Sequence, residues 1–86
     1  MDVRVGKVTH FFNHLSVAVV ELSGELKVGD TICILGRITE LDQYVGSMEI
    51  NHQKVTAVGP GMEVALKVAE PVRTGDVVYK VVKTES

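Results

Sequence analysis

Turn-forming residues interrupt this chain so regularly that no segment between them can hold a convincing amphipathic helix. Asn13-His14, Ser23-Gly24, Gly29-Asp30, Gly36-Arg37, Gly59-Pro60-Gly61 and Thr74-Gly75-Asp76 supply the breaks. The segments between them are rich in β-branched residues, with 17 valines, four isoleucines and six threonines among 86 residues. Such side chains are stiff at χ1 and fit a pleated, half-buried surface better than a helix. The expected class is all-β, a sandwich or barrel built from short strands.

About six strands follow from the pattern. Val3 to Phe12 and Leu15 to Leu22 read as a hairpin, Leu26 to Asp30 as a short apolar step into a turn, and Thr31 to Leu35 as the third strand. Gly36-Arg37 opens a polar passage, and Gln43 to Val55 reads as one long strand. In that strand Val45, Met48 and Ile50 break the period of two, and one extra residue at Gly46-Ser47 restores it. This is the trace of a β-bulge, which bends a strand as barrel closure requires. Met62, Val64, Leu66 and Val68 alternate with Glu63, Ala65, Lys67 and Ala69, giving a strand with one buried face, and Val77 to Val82 closes the set. Met48, Ile50, Val64, Leu66, Ile32 and Ile34 are the expected core. The expected fold is therefore a small closed antiparallel β-barrel of about six strands, one domain spanning residues 1–86.

A chain of this length buries roughly 60–65% of its unfolded surface, so one modest core is the ceiling. The lone Cys33 excludes an intrachain disulfide. No apolar run approaches a membrane span, and the start MDVRVGKV lacks the features of a signal peptide, so a cytoplasmic protein with no membrane contact is expected. Nine Lys and Arg against 11 Asp and Glu give a formal charge of −2 and a pI near 5.8. That balance speaks against sequence-blind binding to phosphate backbones but leaves room for recognition of one RNA end.

Four pieces of the sequence carry a resemblance. They are Gly24-Glu25-Leu26-Lys27-Val28-Gly29-Asp30 with Ile32 and Ile34; Val45-Gly46-Ser47-Met48-Glu49-Ile50; Ala57 with Pro60-Gly61 and Val64; and Gly75-Asp76-Val77. In order and spacing they resemble the second, β-barrel domain of elongation factor Tu. Val45, Ser47, Glu49 and His52 resemble its archaeal and eukaryotic counterpart more closely still. The whole chain is similar to short stand-alone translation elongation factor-like proteins. The resemblance implies a non-catalytic module of protein biosynthesis that contacts transfer RNA or the ribosome.

Through the resemblance, Glu49 falls at a position that lies by the terminal adenosine of transfer RNA, where a carboxylate can accept hydrogen bonds from ribose hydroxyls. His52 would flank the same site. With Met48 and Ile50 facing inward, Glu49 points outward, which also suits a plain solvent-facing strand residue. His10 and His14 lack the third and fourth ligands of a zinc site. Cys33 has no paired base or helix N-terminus to make it a nucleophile. The acids are scattered singly, and no G-x-x-x-x-G-K-[ST] loop is present to hold GTP, so no enzyme activity, cofactor or GTP binding is expected. Two functions remain: an RNA-binding module, or a protein-interaction barrel docking on a partner supplied in trans, such as a peptidase or a ribonucleoprotein.

Overall fold

The computed structural model describes residues 2–82. They form ten strands: β1 (Asp2–Phe12), β2 (Val17–Leu22), β3 (Leu26–Lys27), β4 (Thr31–Leu35), β5 (Glu40–Tyr44), β6 (Met48–Ile50), β7 (Gln53–Val55), β8 (Ala57–Val58), β9 (Glu63–Lys67) and β10 (Val77–Val81). Eight of them make an antiparallel sheet in the order β5-β4-β10-β1-β2-β9-β6-β7, while β3 and β8 form a separate two-stranded ladder. The all-β, antiparallel expectation holds. No helix in the described residues is long and apolar enough to cross a membrane.

The long strand β1 bends the sheet. Its register slips between Arg4 and Gly6 against β10 and between Val8 and His10 against β2. Each slip is a bulge that increases local twist. Gly6 belongs to the first: a Cβ there would lie 2.7 Å from both the Glu21 carbonyl oxygen and Val20 Cγ1. The bends turn one sheet face inward over a core of Val5, Val8, Val20, Leu22, Ile32, Ile34, Met48, Val64, Leu66 and Val78, all buried, with Leu26 from β3 beneath them. Five of the six expected core residues are fully buried, and Ile50 packs half-buried against the cluster.

The closed barrel of about six strands does not form. β5 and β7 are the free edges of the eight-stranded order, and among the described residues no ladder joins them. The sheet is nevertheless strongly curled. β5 and β6 lie near opposite ends of the order, yet only Val45, Gly46 and Ser47 connect them. The same geometry corrects the long strand expected over Gln43 to Val55. The chain leaves one edge at Val45 and re-enters the sheet at Met48, so Gly46-Ser47 is a crossing link and not a bulge. It then reverses at Asn51 and His52, whose φ angles of 51° and 65° are the signature of a two-residue type I′ hairpin turn. β5 was hidden in the polar passage because Leu41 is its one fully buried residue. Met62, expected inward, precedes β9 and is exposed.

Candidate functional site

Strict alternation in β2 and β9 fixes the outer face of the sheet as firmly as the inner one. With Ala18, Val20, Val64 and Leu66 inward, Val17, Val19, Glu63, Ala65 and Lys67 face out. Directly opposed residues share a face. His10, Val19, Ala65, Glu49 and Lys54 therefore form one row across β1, β2, β9, β6 and β7. Phe12, Val17 and Lys67 make the neighbouring row.

Ala65 is the small residue in the middle of this surface, and its short side chain leaves room on both sides. One open hollow of about 400 Å³ lies among Leu15, Val17, Ser47, Glu49, Lys54 and Lys67. A second of about 260 Å³ lies among Phe12, Val19, Glu49, His52 and Glu63. Glu49 and Ala65 line both. The first hollow carries two lysines beside Glu49, the second Glu49 and Glu63 over an apolar floor. Thr9 Oγ1 donates to Glu63 Oε2 at 3.4 Å. Among the described residues the ion pair within 4.0 Å joins Lys80 to Asp30, away from this face, so neither Glu49 nor Glu63 has a cation at salt-bridge distance.

The structure places the two residues singled out from the sequence together: Glu49 is half-buried on β6, and exposed His52 sits in the turn that follows. It adds Glu63, Ala65, Val19, Phe12 and Lys54, which were not selected. The outward alanine within an alternating strand was the available signal for a depression. His10 stacks against Phe12, with ring centroids 4.4 Å apart. Among the described residues no three His, Cys, Asp or Glu side chains cluster as metal ligands. Cys33 lies on the other half of the outer face, opposite Asp42 and Tyr79. Burial, then the adjoining Asp42 carboxylate, then the charges of Asp2 and Glu40 push its thiol from 9.0 up to about 11. The proton is held, the reverse of what a nucleophile needs.

Comparison with known proteins redirects the functional reading. Over 95% of its length the chain is 41% identical to an uncharacterized protease of Methanocaldococcus jannaschii. Over 96% it is 36% identical to a collagenase of Porphyromonas gingivalis. These relatives are proteases. The chain spans about a fifth of the length of each, 20% in both cases. No protein-family model matches it. Among solved structures, the C-terminal domain of a U32 peptidase from Geobacillus thermoleovorans superposes with a TM-score of 0.86, at 20% identity and 92% coverage of both chains, which establishes a shared fold.

These similarities overturn the resemblance to elongation factor Tu and, with it, the expected role as a translation module binding transfer RNA or the ribosome. The expectation of no enzyme activity is corrected for the same reason: the relatives are named protease and collagenase. The physical source of the misreading is visible. Gly29, Gly61 and Gly75, which anchored three of the four resembling pieces, have φ of 96°, 89° and 96°. Each supplies a turn conformation that residues with a Cβ resist. The matching pieces record how a small β domain turns its corners, a constraint shared by domains of unrelated function.

Proposed function

We propose that this chain is an accessory domain of a U32-type peptidase and offers its outer sheet face to polypeptide. The observation that carries the reading is the extent of the match. Nearly the whole chain corresponds to one fifth of proteins named protease and collagenase, as a discrete module within a larger enzyme would. The U32 peptidase C-terminal domain has the same fold. The hollows beside Ala65, with apolar floors and charged rims, have the character of side-chain subsites.

A segment exchange tests this. In the Porphyromonas gingivalis collagenase, the stretch that aligns with this chain is replaced by residues 1–86, and gelatin cleavage is compared with that of the intact enzyme and of a version lacking the stretch. Activity recovered well above the deletion supports the reading. A folded chimera no more active than the deletion overturns it.

A further inference from the structure

We propose that the hollow bounded by β2, β9 and the β6–β7 turn takes a lysine or arginine side chain from a polypeptide segment. The inference rests on the peptidase-domain reading and names the side-chain class that its docking face selects. The floor is apolar, formed by Val19 and Ala65, and suits the methylene stem of a long basic side chain. Glu63 lies two positions from Ala65 along β9 and Glu49 directly opposite Ala65 on β6, so both border the hollow beside Ala65. A cationic head between them meets two carboxylates, neither of which has a cation at salt-bridge distance among the described residues. Phe12 lines the same hollow and offers a ring to a guanidinium or ammonium group. Lys54 and Lys67 border only the neighbouring hollow, on the far side of Glu49. The two hollows thus differ in charge, this one holding Glu49 and Glu63 and its neighbour setting Lys54 and Lys67 beside Glu49, so a bound segment would place its basic residue near Glu63 and the β6–β7 turn.

A phosphate backbone fits this hollow poorly, because two carboxylates face it. The balance of charge selects a cation, and the apolar floor selects one on an aliphatic stem.

The test is an amide-resolved NMR titration of the ¹⁵N-labelled 86-residue chain. One probe is an acetylated, amidated alanine-rich peptide with a single central arginine. The comparison peptide has glutamine in its place, and a third probe is a short single-stranded RNA ending in CCA. The arginine peptide is expected to shift Val19, Glu49, Glu63 and Ala65, with binding that weakens as salt rises. Glu49→Gln and Glu63→Gln should each weaken it by roughly twofold to fivefold, the scale of an exposed or partly exposed charge pair. Equal responses to the arginine and glutamine peptides, no response at these residues, or a stronger response to the RNA would overturn the proposal. An active collagenase chimera alongside an indifferent titration removes this inference alone. An inactive chimera alongside arginine-selective binding removes the peptidase reading and keeps the cation subsite.

Discussion

Gln43 on β5 reaches across the open seam of the curled sheet to Lys67 at the end of β9, donating from Nε2 to the Lys67 carbonyl oxygen at 2.9 Å, while its Oε1 accepts from the Ala69 N–H at 2.7 Å. One carboxamide thereby stands where a closed barrel would have a backbone ladder. Two backbone bonds brace the turn side of the crossing link, Gly29 N–H to the Val45 carbonyl and Val45 N–H to that of Asp30, both at 2.8 Å.

Gln43→Ala removes both seam bonds without touching the core. A net hydrogen bond contributes about 1 kcal/mol, and these two are exposed to water, so the expected loss is about 1–2 kcal/mol in urea unfolding. Exchange of the Ala69 amide should accelerate well beyond that of core amides. A variant with unchanged stability and unchanged Ala69 protection would show that the curl is maintained without the seam.

Gly36→Ala drives a methyl group into the Asp76 carboxylate. That carboxylate is buried and accepts the Arg73 N–H at 2.8 Å, so it cannot swing away without breaking its turn. Overpacking of this kind costs about 1–3 kcal/mol. Gly46→Ala is the matched control: its Cβ would meet nothing within 4 Å and its φ is not positive, so a change within about 0.5 kcal/mol is expected. Thermal unfolding of the pair reads the difference.

Cys33 should alkylate slowly at neutral pH, and its rate should climb only as pH approaches about 11. Because the folded thiol holds its proton more tightly than the unfolded one, its stabilising contribution is complete below pH 9 and is lost between pH 9 and about 11. Asp42→Asn removes the adjacent negative charge and should shift the alkylation profile toward lower pH. An unchanged profile in that variant would show that Asp42 contributes nothing and leave burial, with the charges of Asp2 and Glu40, as the cause.

His52→Gly should stabilise the protein. Asn tolerates the left-handed conformation at the first turn position, but His52 with φ 65° occupies the second, where glycine is favoured. Relief of the Cβ contact is worth about 1 kcal/mol, read by unfolding midpoint. A loss of stability would mean that the imidazole makes a contact outweighing the strain.

What the sequence settled by itself is what a few neighbouring residues can encode. The period of two from Val64 to Val68 fixed which side chains of that strand face the core, because successive strand residues point to opposite faces whatever the strand pairs with, whereas Met62, just before the strand begins, escaped it and is exposed. The glycines at 29, 61 and 75 marked corners because their backbone angles are a local requirement. Tertiary structure decided the rest. β5 exists because Leu41 and its neighbours pair with β4, and its own polar composition gives no such signal. The break at Val45–Ser47 and the reversal at Asn51-His52 depend on where distant edges meet, and a residue-by-residue period cannot report that. Glu49 could be chosen from the sequence as an outward acid. That Glu63, far along the chain, would share its hollow was decided only when β6 docked on β9 and brought Glu49 opposite Ala65.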